Sequence, residues 1–179
     1  TKIIQLQYPN LKYAPKGSFS DHLVIKAKRY NAFKRVDITQ AQDYIEGTVD
    51  GVAIKLMEIR NMNAHTNPNI GSEDNNVNFV VFKGIILVID LYEQNIEKLE
   101  TAAYSFEVQQ ILKELDEFWG SYPQINVSDD GYCIVDISLL KNKHFLEIST
   151  VSKLYSRDYI EQLNQQLTLL LKIPITLKR

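Results

Sequence analysis

The sequence predicts an α+β domain, a mainly antiparallel sheet of hairpins with about three helices packed on one face. Three observations carry that reading. Asp50-Gly51 separates two β-rich runs, Asp43 to Val49 and Val52 to Met62. Asp-Gly is the strongest short hairpin signal, because both turn positions take positive φ. Val77 to Leu91 is a nearly continuous run of Val, Ile, Leu and Phe, too apolar for a half-exposed strand, and reads as a central one. Two stretches, beginning at Ser105 and near Ser156, repeat apolar residues at helical spacing.

Taken in order, the chain starts with an extended lead-in that ends at Pro15-Lys16-Gly17. Ser18 is an N-cap candidate with Asp21 three residues on, and Phe19, Leu23, Ala27 and Tyr30 recur at helical spacing, so a helix is expected over 18–30. In the first hairpin Val52, Ile54 and Leu56 alternate, and Met57 and Ile59 take the other phase. That shift predicts either a bulge or a strand buried on both faces. The stretch 61–76 holds six asparagines with Pro68 and Gly71 and reads as a long loop. Gly84, inside the central run, predicts a bulge or a bend that splits it in two.

Ser105 is the next N-cap, Val108, Ile111, Leu112, Leu115, Phe118 and Trp119 form the apolar stripe, and Gly120 stands at the expected stop. A second hairpin pairs Gln124 to Val127 with Tyr132 to Ile137 across Ser128-Asp129-Asp130-Gly131. A short strand is expected over His144 to Ile148. The last helix carries Ile160, Leu163, Leu167, Leu170 and Leu171. Pro174 is expected to push Ile173 out of helical geometry and end it, leaving Ile175 to Leu177 as an edge strand.

The 179 residues are 45% apolar and 23% charged, a globular balance that fits a single domain over 1–179. A formal net charge of −2 argues against bulk electrostatic attraction to nucleic acid or to a membrane, and no nucleic-acid partner is expected. Cys133 is the single cysteine, so no internal disulfide forms. No run approaches the roughly 20 apolar residues of a membrane-spanning helix. The first residue is Thr1 rather than methionine, which reads either as processing or as the soluble part of a longer protein.

No catalytic, cofactor or metal signature emerges. His22, His65 and His144 are scattered, without the paired spacing of zinc ligands. Cys133, between β formers, reads as a small core residue rather than a nucleophile. Asp43, Glu46 and Asp50 precede the first turn and Glu58 follows it; Glu46 and Glu58 are the weak carboxylate candidates, since two carboxylates across a hairpin can share a proton. Asp129 and Asp130 are explained by turn chemistry. Phosphate-loop patterns are absent, and no cofactor is expected. One basic cluster stands out: Lys26, Lys28, Arg29, Lys34 and Arg35, interleaved with Tyr30 and Phe33. It is a candidate surface for anionic lipid or a partner, against the simpler reading of cationic side chains at a helix C-terminus.

Several of these segments together resemble the DUF3137 family of uncharacterised bacterial proteins. The residues that carry the likeness are Tyr13-Ala14-Pro15-Lys16-Gly17, Phe19-Ser20-Asp21, Asp43-Tyr44-Ile45-Glu46-Gly47, Gly51-Val52-Ala53-Ile54 with Glu58, and Val81-Phe82-Lys83-Gly84-Ile85. The sequence departs from the family pattern at Tyr92-Glu93-Gln94-Asn95 and in the longer 61–76 stretch. The resemblance implies no established activity. It implies a domain preceded by hydrophobic segments, on the cytoplasmic side of a membrane. The leading expectation is a non-catalytic binding or scaffold domain of a membrane-associated protein, partnered by a membrane surface or membrane protein. The alternatives are a ligand or peptide sensor with a pocket under the Asn-rich loop, and a carboxylate-based enzyme.

Overall fold

The computed structural model describes residues 8–15, 38–66, 76–92, 94–121, 123–139 and 157–179. Within them lie β1 (Leu11–Ala14), β2 (Ile38–Val49), β3 (Val52–Thr66), β4 (Asn76–Asp90), α1 (Ile96–Ala103), α2 (Phe106–Trp119), β5 (Gln124–Val127), β6 (Tyr132–Ser138) and α3 (Arg157–Lys178). The strands form one open antiparallel sheet in the order β1-β2-β3-β4-β6-β5. The predicted class, α+β with an antiparallel sheet of hairpins, is the one observed.

The first hairpin turns at Asp50 and Gly51, with φ of 50° and 77°, as the Asp-Gly signal requires. Val49 pairs with Val52, and the register runs back to Ile38↔Met62. The phase shift at Met57 and Ile59 reflects burial on both faces. Val52, Ile54 and Leu56 enter the core shared with the helices, whereas Met57 and Ile59 join Ile86, Val88 and Ile134 in a second cluster. Alternation at period two therefore puts apolar side chains on both sides of the central strands, which is why those strands read as continuous apolar runs.

Three sequence expectations need correction. The stretch 61–76 is not all loop: β3 runs to Thr66 and β4 starts at Asn76, paired down to Thr66↔Asn76. Asparagine is a poor strand former, but the ladder it joins is set by the long apolar run of β4. Gly84 neither bulges nor splits β4. The register shift lies three residues earlier, where Asn61↔Phe82 is followed by Met62↔Val80 and Val81 is the extra residue. Pro174 does not end the last helix, which continues to Lys178 and leaves no edge strand at 175–177. A proline inside a helix loses one backbone bond and costs about 3 kcal/mol. Ending α3 there would withdraw Ile173 and Leu177 from the core, where they are 0% and 2% exposed, and each such burial is worth about 1.5–3 kcal/mol. Packing therefore outweighs the local cost.

All three described helices pack on one face of the sheet. Leu99 and Ala103 of α1, Val108, Leu112, Leu115 and Trp119 of α2, and Leu167, Leu170 and Leu171 of α3 meet the inward residues of β3, β4 and β6. Ser105 caps α2 by accepting from the Val108 N–H, and Gly120 closes it in left-handed geometry, both as predicted. Helix α1 escaped the sequence reading. Asn95 caps it by accepting from the Lys98 N–H. The helix spans only two turns, too few to display a period. The helix expected over 18–30 and the strand over 144–148 lie outside the described residues.

Candidate functional site

The carboxylate pair is not brought together. Ile45 opposes Leu56, so Glu46 opposes Lys55 and projects to the face that holds Tyr44, whose hydroxyl donates to Glu46 Oε2 at 2.7 Å. Glu58 keeps the parity of Leu56 and Ile54 and projects to the helix-bearing face. Two carboxylates on opposite sides of a sheet cannot share a proton or a cation, and the carboxylate-enzyme reading loses its geometry. Glu58 is instead 2% exposed, with Lys83 Nζ 3.9 Å from its Oε1 on the adjacent strand. A second tyrosine–carboxylate bond, Tyr13 to Asp43 Oδ1 at 2.6 Å, ties β1 to the bulge in β2. Burial, then the hydrogen bond to the carboxylate, raises both tyrosine hydroxyls well above their usual range, so neither ionises near neutral pH.

The Cys133 thiol is buried in the main core, and burial pushes its pKa up to about 12. A thiol held protonated in apolar surroundings is a poor nucleophile, as its position between β formers predicted. Among the described residues no group of three His, Cys, Asp or Glu side chains converges to hold a metal. The basic cluster Lys26, Lys28, Arg29, Lys34 and Arg35 lies outside the described residues, as do His22 and His144.

Asp136 is the buried ionisable group that the sequence reading missed. It is 9% exposed, on the face of the second cluster, opposite Ile86 and Gln124. Burial raises its pKa from 3.8 to about 6. The folded state holds the proton more tightly than the unfolded chain, so stability falls as pH rises between those two values and levels off above. Asp136→Asn is expected to exceed the parent in stability by on the order of 2 kcal/mol near pH 7.5, with the gap closing toward pH 4. Urea titrations at both pH values check this; a gap of the same size at each would contradict it.

Between α2 and α3 lies an open groove of about 360 Å³ lined by Phe118, Asn164, Gln165, Thr168, Leu169 and Lys172. Its polar rim is part of the outer face of α3, and Tyr8 reaches its edge through a 3.0 Å hydroxyl contact with Thr168.

The more distinctive surface is the corner where α1 meets α2. Leu99 and Ala103 bury one stripe of α1, which leaves Ile96, Glu100 and Tyr104 aligned at four-residue spacing along its flank. Tyr104 ends α1, Ser105 caps α2, and Phe106 is the first residue of α2. Phe106 is 79% exposed, Tyr104 67% and Ile96 38%, with Tyr92 just upstream at 66%. Single exposed apolar residues are ordinary, but these four gather within fifteen consecutive residues, and the described residues include no other large exposed hydrophobics. Their signal in the sequence was the aromatic pair that flanks a helix cap. It was legible as exposed only once α1 supplied the buried stripe beside it.

No protein-family model, curated protein or solved structure matches this chain.

Proposed function

We propose that this chain is a non-catalytic binding or scaffold domain of a membrane-associated protein. The observation that supports the binding reading is the exposed apolar set Ile96, Tyr104 and Phe106 at the α1–α2 corner. Aromatic side chains held in water are enriched at the centres of protein interfaces, where they supply large contact area at low entropic cost. The two helices beneath them are fixed by the Asn95 cap and buried Leu99 and Ala103 of α1 and by the Ser105 cap of α2, so the surface is presented on a rigid support. The membrane setting rests on the likeness to the DUF3137 family, and the Lys26 to Arg35 cluster remains its proposed membrane-facing surface. The corner and that cluster would then serve different contacts.

The test is site-specific photo-crosslinking in cells with the full-length protein. A photoreactive phenylalanine at 104 or 106 is expected to give discrete protein adducts. The same group at Asp129, in an exposed turn, is expected to give none. Equal adduct patterns at all three positions would overturn the reading.

A further inference from the structure

We infer that the α1–α2 corner docks a cationic, amphipathic polypeptide segment, an inference that rests on the binding reading and names its partner class. The apolar anchors sit among carboxylates. Exposed Glu97 and Glu100 lie on α1 beside Ile96 and Tyr104, and exposed Glu107 follows Phe106. Over 94–107, the stretch that forms the corner, there are three carboxylates, Glu97, Glu100 and Glu107, against one lysine, Lys98, whereas the whole chain holds 22 against 20. The corner therefore carries far more than its share of the negative charge.

Helix stability accounts for only part of that excess. Glu97 and Glu107 lie in first turns, where a carboxylate meets the positive end of the helix dipole. Glu100 stands three residues from Glu97, a like-charge spacing that weakens a helix. Among the described residues, Glu97, Glu100 and Glu107 take part in no ion pair. Three exposed carboxylates beside exposed aromatics, one of them, Glu100, set against its own helix, fit a partner that brings cations around an apolar side chain. The same charge repels anionic lipid, so the corner is not the membrane-facing surface.

The test uses the 179-residue chain and three labelled synthetic helical peptides of equal length, followed by fluorescence anisotropy. One is built from Lys and Leu, one from Glu and Leu, and one from Ser and Leu. The Lys/Leu peptide is expected to bind, and Tyr104→Ser with Phe106→Ser to weaken it about tenfold. Glu97→Gln, Glu100→Gln and Glu107→Gln together are expected to do the same. Asp50→Asn with Asp129→Asn, which removes two exposed charges elsewhere, is expected to leave binding unchanged. All substituted side chains are exposed, and an unchanged thermal unfolding midpoint verifies folding. Equal binding of the Lys/Leu and Ser/Leu peptides, both lost with Phe106→Ser, would overturn the cationic class and leave the binding reading standing. Lys/Leu binding that ignores the aromatic substitutions would overturn the docking site itself. Failure of every peptide, together with featureless crosslinking at 104 and 106, would remove both.

Discussion

Gly84→Val is expected to cost the domain about 3 kcal/mol or more, enough to shift the urea midpoint substantially or abolish folding. Gly84 does not occupy a positive φ, so the requirement is one of space rather than backbone conformation. A Cβ at this position runs into the carbonyl oxygen of Ile137 on β6 and into the ring of Phe82. The ring is the outer end of a flexible side chain and can move. The Ile137 carbonyl belongs to a neighbouring strand whose ladder fixes it, with Gly84 paired to Ser138 beside it. Relief would require β4 and β6 to separate near the centre of the sheet, where Ile85, Ile86 and Ile137 are fully buried. Two controls isolate the cause. Gly84→Ala is expected to destabilise less than valine, but still measurably, and adding Phe82→Ala is expected not to restore the loss. A valine variant within about 1 kcal/mol of the parent would show that the strands yield more readily than a packed sheet should.

The sequence was most informative where local chemistry and tertiary packing agree. Asp50-Gly51 marked a hairpin whose turn geometry and register follow, and Ser105 and Gly120 bounded α2 because a cap acts within a single turn. It misled where packing overrode a local preference. Pro174 carries a real helix-breaking cost, but the apolar residues on either side of it lie on the core-facing stripe, a fact available only once the sheet is in place. The asparagines of 61–66 look like loop, but their strand character is supplied by the partner strand β4. Function was less legible still. Glu46 and Glu58 stood out as carboxylates across a hairpin, but which face each occupies depends on register. The bulge between Gln42 and Ile45 lies beyond Glu46 and on the strand opposite Glu58, so it alters neither face: the two-residue turn sets Val49 against Val52 and Glu46 against Lys55, which has the opposite parity to Glu58. Asp136 looked like any strand aspartate, and its burial comes from the second apolar cluster, which no local pattern announces.

Lys83→Met is expected to be among the most damaging single substitutions, at about 3–5 kcal/mol, because it removes a cation from beside a buried carboxylate. Glu58 is 2% exposed and Lys83 14%, and both project from adjacent central strands toward the helix-bearing face. At 3.9 Å the pair is long for a hydrogen bond, so its value lies in charge compensation more than in a directed contact. Taking a carboxylate out of water is costly, and a neighbouring ammonium offsets part of that cost only while it is present. Glu58→Gln, which removes the charge and keeps the shape, is expected to be milder than Lys83→Met. In the Glu58→Gln background, Lys83→Met is expected to do much less harm than in the parent, a coupling of about 1–3 kcal/mol in a double-mutant cycle followed by urea denaturation. Additive losses would mean that the two charges do not sense each other. The same cycle bears on the carboxylate that the sequence singled out. If Glu58 is spent on neutralising Lys83 within the fold, its substitution shifts stability and leaves photo-crosslinking at Tyr104 and Phe106 unchanged at temperatures where the variant stays folded. A loss of those adducts in a folded Glu58→Gln chain would instead connect this pair to the α1–α2 corner.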